Sequence, residues 1–379
     1  MGVLCMSARD QLKLDVIGKV VSDVFDRDRA CLILDVSQRT IRRYLKGYRD
    51  KGLLFVKHGN YQRSPLNKTP ESLRQRVCDL VKNKYFDFNM IHCLEKLLEN
   101  EKISIKRETF RKWCHDIKMV KRAKRRRSKA RYMRARMKQT GLMLQMDGSP
   151  HKWFGGKDSC LISAIDDASN EVPFAEFFPA EDSLSCMRVL EKIIAKKGIF
   201  QLLYVDRAGW FGGTKRTDFA QVKRACEELG VHVIFANSAE AKGRVERLFN
   251  TLQDRLIPEM RFRRIHSYHA ANCFLQEQFL PNEYDKKFTV IPANLQTAYK
   301  PLPISIDLNE IFCLKHYRIV KRDHTVPWQG KLYQITSPVK YSIYKQKVEI
   351  RTYQDLSFKM FFAGKELPLT LVNPLRKAA

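Results

Sequence analysis

The chain has 379 residues, enough for more than one domain, and its 70 Lys and Arg against 41 Asp and Glu leave a formal charge of +29. Such an excess points to a polyanionic partner, and of the two common ones nucleic acid is favoured, because no run of about 18 apolar residues marks a membrane span. The ten cysteines include no C-x-x-C, so neither a zinc module nor a disulfide framework is expected, and nothing near "MGVLCMSARDQ" reads as an export signal. The expected location is the cytoplasm, with the nucleoid.

Ile17, Val20, Val21 and Val24 recur at helical spacing, and "DRACLILDVSQRTIRRYLKGYRDKG" then gives a short helix, a turn at Asp35 and Val36, and a helix capped by Ser37. This is helix-turn-helix grammar, assigned to residues 1–60. Ile41, Tyr44 and Leu45 face its core, and Gln38, Arg39, Arg42 and Arg43 point outward, where they suit a DNA groove. Residues 66–117 read as a second helical unit. Thr69 and Pro70 open it, Leu73, Val77, Leu80 and Val81 form one stripe, and Ile91, Leu94, Leu97 and Leu98 form the next. Its last helix, "SIKRETFRKW", is basic outside with Phe110 and Trp113 inside, so a second DNA-binding domain is expected. Residues 118–140 form a basic linker. Between Lys118 and Lys138 stand twelve basic residues and no acid, among them Arg125, Arg126 and Arg127, a block that phosphates would neutralise.

Composition changes at Gly141. "LMLQMDGSP", "DSCLISAIDDAS" and "NEVPFAEFFP" read as three successive strands, followed by a helix over 184–197, the strand "FQLLYVDRAGWF", a helix closed by Gly230, the strand "VHVIFANS" and a final helix opening with "AKGRVERLFNTL". The order βββαβαβα over 141–265 predicts a mixed sheet with helices on both faces. It places Asp147 at the end of the first strand, Asp206 at the end of the fourth, and Glu246 in the first turns of the last helix. In that helix Val245, Leu248 and Leu252 face the sheet, and Lys242, Glu246 and Asn250 share another face. Three converging carboxylates repel one another unless cations lie between them. Two magnesium ions, which manganese can replace, are the economical partners for phosphodiester chemistry. Lys242, Arg244 and Arg247 are placed to hold the DNA. Asp166 and Asp167 are assigned to a turn, Asp158 and Glu181 to loops or caps, and Asp254 to pairing with a neighbouring base.

These segments, together with "VSQRTIRRYLKGYRDKG" ahead of them and "TVPWQGKLYQI" behind, resemble the bacterial insertion-sequence transposases with an integrase-type (DDE) core, in particular the ISNCY group. The resemblance covers most of the chain. It implies a ribonuclease H-like core whose catalytic, metal-binding acids fall on Asp147, Asp206 and Glu246. It also implies metal-dependent cleavage at the terminal inverted repeats of an element and transfer of the freed 3' ends into target DNA, by a homo-oligomer of at least two subunits. A catalytically silent repressor, or a nuclease of the same fold that does not join strands, is the alternative. Beyond the core, residues 266–310 read as a helical connector, and 311–379, with alternating apolar residues around Gly330 and Gly364, as a small β-barrel.

Overall fold

The structure is a computed structural model that describes residues 6–58, 60, 68–119, 134–156, 158–206, 214–236, 243–336 and 342–372. Two compact units divide it, Met1–Arg76 and Val77–Ala379.

In the first unit α1 (Ala8–Val21), α2 (Arg27–Leu34) and α3 (Gln38–Lys51) enclose an apolar core of Val16, Ile17, Val20, Ala30, Ile41 and Leu45. α1 and α2 begin at side-chain caps, whereas Ser37, expected to cap α3, precedes that helix without a side-chain cap hydrogen bond, its hydroxyl 3.2 Å from Thr40 Oγ1. Ser7 and Asp10 form a reciprocal capping box, and Asp26 accepts the Arg29 N–H at 2.7 Å. The left-handed Asp35, at φ 49°, turns the chain between α2 and α3.

The larger unit is built on a five-stranded sheet of order β3-β2-β1-β4-β5. Its strands are β1 (Met143–His151), β2 (Ser159–Asp166), β3 (Phe174–Phe178), β4 (Leu202–Asp206) and β5 (His232–Ala236). The first three run antiparallel, and β4 and β5 lie parallel to β1. This is the mixed sheet expected from βββαβαβα. All eight residues of β2 are buried, as a strand covered on both faces requires. On one face α7 (Ser183–Lys197) and α8 (Thr214–Glu228) enclose Leu144, Met146, Ile162, Leu190, Leu203 and Val222. On the other, α9 (Gly243–Phe262) packs with Leu161, Ile165 and Phe177, along with α10 (Tyr268–Phe274) and a π-helix, Leu275–Tyr284. The stretch after 266 was expected to be a connector. Its Ala271, Phe274, Leu275 and Phe279 instead complete the second core layer, and α11 (Asp285–Phe288) follows it.

The helix α4 (Glu71–Asn83) spans the division between the units, and α5 (Met90–Glu101) and α6 (Arg107–Asp116) belong to the second. The Tyr85 and Phe88 rings ahead of α5 pack on Phe262 of α9, and polar contacts tie α5 itself to α9 and the π-helix. Glu259 of α9 is fully buried and takes His92 Nε2 at 2.8 Å and Lys96 Nζ at 2.9 Å. Lys96 also reaches Glu283 at 2.7 Å, and Arg255 of α9 meets Glu95 at 2.7 Å. Asp254, expected to pair with a base, accepts the Asn89 amide instead.

After the short α12 (Leu308–Ile311), the strands β6 (Leu314–Ile319), β7 (Thr325–Trp328), β8 (Lys331–Ile335), β9 (Lys347–Thr352), β10 (Phe358–Phe362), β11 (Lys365–Leu367) and β12 (Leu369–Val372) hydrogen-bond as two antiparallel sheets. Their orders are β11-β10-β9-β6 and β12-β8-β7. Where one small barrel was expected, the described residues form two sheets sharing a core of Val320, Val326, Trp328, Val348, Ile350 and Met360. Among the described residues no helix is long and apolar enough to cross a membrane.

Candidate active site

The pairing of β1 with β4 sets the geometry. Met143, Leu144 and Gln145 lie opposite Leu202, Leu203 and Tyr204, where the pairing ends; Asp147 stands two residues beyond Gln145, and Asp206, the last residue of β4, two beyond Tyr204. From Met146 onward β1 continues beside β2, to the pair His151 and Ser159. Asp147 was expected to end its strand. It lies two residues past the end of the pairing with β4, in a strand that runs on beside β2 to His151.

Asp147 stands across from Ser163, between Leu161 and Ile165 of β2, both of which belong to the core beneath α9. Since side chains alternate, Gln145, Asp147 and Ser149 share the sheet face that α9 covers. Two polar ties fix α9 along this row. At one end Asp167 Oδ1 accepts both Gln145 Nε2, at 2.7 Å, and Arg244 Nη1, at 2.6 Å. At the other Gln253 Nε2 donates to Ser149 Oγ at 3.1 Å. From Gln145 to Ser149 the strand rises about 13 Å, and from Arg244 to Gln253 the helix rises about 13.5 Å, so the two run side by side. Asp147 lies between the ties, and Glu246 sits about 3 Å along the axis from Arg244. Val245, Leu248 and Leu252 are buried against the sheet, whereas Glu246, Arg247 and Asn250 are exposed, the division that the helical spacing predicts.

A further acid lies against Gly148, the residue that follows Asp147 in the strand. A Cβ at Gly148 would stand 2.5 Å from Glu181 Oε2, so only glycine lets that carboxylate reach the strand. Glu181 and Asp147 together line a small cavity with Met146, Cys186, Leu203, Val205 and Val222. Burial pushes the nearby Cys160 thiol up to about 12, and the negative charges of Glu181 and then Asp147 add to the rise. Loop composition concealed this role for Glu181, and the glycine after Asp147 was the only local sign of it.

Asp166 and Asp167, both assigned to a turn, divide the work. Asp166 builds the turn, accepting the N–H groups of Ala168 at 2.9 Å and Ser169 at 3.2 Å, and that of Gly141 at 2.7 Å. Asp167 is fully buried and takes Arg244, Arg134, Gln145 and the Met137 N–H. Arg244, expected to hold DNA, is therefore engaged inside the protein, its side chain 11% exposed. Burial lowers its basicity, Asp167 opposes that effect, and the guanidiniums of Arg134, Arg136 and Arg247 add to it.

The other expected DNA contacts are distributed differently. Gln38, Arg39, Arg42 and Arg43 are all exposed along α3, with Gln38 donating to Asp28. Arg247 is exposed and donates from Nε to the Gly243 carbonyl at 2.8 Å. Arg125, Arg126, Arg127 and Lys242 lie outside the described residues, as does the side chain of Asp206. Among the described residues no group of three His, Cys, Asp or Glu side chains stands together as a metal site.

No family model matches the chain. A transposase of Sinorhizobium fredii, y4bF, is 30% identical over 380 aligned residues, covering 97% of this chain and 82% of that protein. The transposase for insertion sequence IS1202 of Streptococcus pneumoniae is 29% identical over 84% of this chain and 76% of its own length. Among solved structures, the HTLV-2 integrase catalytic core domain in complex with magnesium is 15% identical over 37% of this chain and 89% of that chain, at a TM-score of 0.29, too distant to argue from. With the y4bF likeness running through nearly all of its length, the chain belongs to the transposases of bacterial insertion sequences.

Proposed function

We propose that the chain is a DDE-type polynucleotidyl transferase with a ribonuclease H-like core, which cuts at the terminal inverted repeats of its element and joins the freed 3' ends to target DNA. The observation that supports this reading is the parallel β1–β4 pairing through Gln145 and Tyr204, each two residues before an acid of the set, with α9 tied along β1. Asp147, Asp206 and Glu246 are the catalytic acids. Their hard carboxylate oxygens suit magnesium or manganese, two ions of which would neutralise phosphate charge and make an oxygen nucleophilic at neutral pH.

The remaining work belongs to the chain's own residues. Displacement at a phosphodiester requires the scissile phosphate to be held in line; the outward Arg247 supplies a cation on the exposed side of α9 beside Glu246, and Lys242, which precedes α9 in the sequence, is proposed as a second. Gln38, Arg39, Arg42 and Arg43 on α3 read the element end. The basic segment 118–138, with Arg125, Arg126 and Arg127, follows the phosphate backbone and makes binding steeply salt-dependent. The helices α4 to α6 form a second DNA-binding unit. Joining two element ends calls for at least two subunits on the DNA.

A strand-transfer assay with the purified chain, element-end duplexes and magnesium tests the reading. Asp147→Ala and Glu246→Gln are each expected to lower joining at least about a hundredfold while end binding persists. Unchanged joining in either variant sinks the assignment. Cleaved ends that are never joined mark a nuclease, and binding without any cleavage marks a repressor.

A further inference from the structure

We infer that Asp167 is a positioning residue for the reaction, setting the first turn of α9 against β1 so that Glu246 and Asp147 keep a fixed spacing. The inference rests on the transposase reading of those two acids.

Asp167 is a fully buried carboxylate that the reaction itself does not use. One of its oxygens accepts from Gln145 at 2.7 Å, from Arg244 at 2.6 Å and from Arg134, and the other accepts the Met137 N–H at 2.9 Å. Its own N–H donates to the Met143 carbonyl at 3.0 Å, which pins its backbone to β1. Gln145 lies two residues before Asp147 on one face of β1, and Arg244 lies two residues before Glu246 in α9. A single oxygen therefore joins the strand that carries one acid to the helical turn that carries the other. The alignment of two acids supplied by separate elements depends on such a tie, because the apolar contacts of Val245 and Leu248 allow an axial slide that a charged hydrogen bond does not.

The same carboxylate also holds the end of the basic segment. Arg134 donates to it, and Arg244 Nη2 donates to the Arg134 carbonyl at 3.2 Å. Without the carboxylate, Arg134 and the mostly buried Arg244 would lose the negative charge that they share. Arg244 would have to turn outward and take residues 243–247 with it. A turn-forming Asp has no need of these partners, and Asp166 already fills that role.

The test uses the full-length chain and Asp167→Asn, with Arg244→Gln as a second variant should the first fail to fold and Arg244→Lys as the conservative one. Hydrogen exchange is read at residues 244–249 and, as an internal reference, at 252–262. Strand transfer is read against magnesium concentration, and end binding by gel shift. We expect faster exchange confined to the first turn, and joining slowed by about a hundredfold, as a misplacement of about 1 Å can produce. The magnesium needed for half-maximal rate should rise, end affinity should stay within about threefold, and Arg244→Lys should fall between. Wild-type joining and wild-type magnesium dependence in folded Asp167→Asn or Arg244→Gln would overturn the inference, as would loosening spread evenly along α9. If the wild-type chain joins no strands while exchange in the first turn still depends on Asp167, the transposase reading has failed and the tie between α9 and β1 stands.

Discussion

The helices α1 to α3 and the helices α4 to α6 read from the sequence as two modules of one kind, and the structure builds them differently. The first has its own apolar core around Ile17, Ala30 and Ile41, and its arginines on α3 stay outside. In the second, α5 directs His92, Glu95 and Lys96 onto α9, where Glu259, at 0% exposure, is the centre. Apolar spacing reports that a helix has a buried stripe. It does not report whether the polar face meets solvent, DNA or another part of the same chain.

The largest effect is expected from breaking that centre. Glu259→Ala removes the acceptor shared by His92, Lys96 and Arg263 and leaves the buried His92 ring without that partner, while Lys96 keeps Glu283 and Glu99, a loss of about 1 to 3 kcal/mol. Urea unfolding of the full chain should show that loss. Hydrogen exchange should place it in α5 and the middle of α9, with α1 to α3 unaffected. A loss below about 1 kcal/mol would mean that apolar contacts alone dock the second module, and the contrast between the two would fall.

A graded effect of pH sharpens the same contrast. Burial tends to raise the Glu259 carboxyl, but the hydrogen bonds from His92 and Lys96, with the charges of Lys96 and Arg263, outweigh it and hold it below the usual range. Glu283 is likewise opposed by burial and brought down to about 2 by Lys287 and Lys96. Groups whose folded pKa is depressed contribute their stability in full above the unfolded value, near 4.5, and lose it as pH falls through the folded value. Protection of the α5 amides should therefore decline between about pH 4.5 and about pH 2. Moderate salt at neutral pH should change it little, because buried pairs are weakly screened. Docking that is insensitive to acid but weakened by salt would contradict this account.

What was legible in the sequence follows from range. The strand and helix order of the core was legible because strands alternate or run apolar and helices repeat locally, and the outward face of Glu246 and Asn250 followed from the spacing of Val245, Leu248 and Leu252. How the strands that carry Asp147 and Asp206 line up needs the β1–β4 register, which no local pattern encodes. Partners far apart in the chain were out of reach altogether. His92 meets Glu259 across 167 residues, and Asp167 meets Arg244 across 77, so a basic residue beside the acid was read as a DNA ligand when its partner lay in a distant turn. Residues 275–284 offered a helix but not its π form, nor its place in the core.

The smallest effect on stability, and the one most specific to function, is expected on α3. Arg42 and Arg43 are exposed, and Arg43 rests over the Tyr44 ring at 5.8 Å without an acidic partner among the described contacts. Replacing both with alanine should leave stability within about 0.5 kcal/mol, since neither fills the core. If the first module meets phosphates through these side chains, each lost contact removes close to one released counterion. The slope of log affinity against log salt should then become shallower by about two, and element-end binding should weaken most at low salt. An unchanged slope would make α3 a solvated basic face. The difference between the modules would then lie only in how they are held, and DNA recognition would have to be sought in the basic segment and on α9.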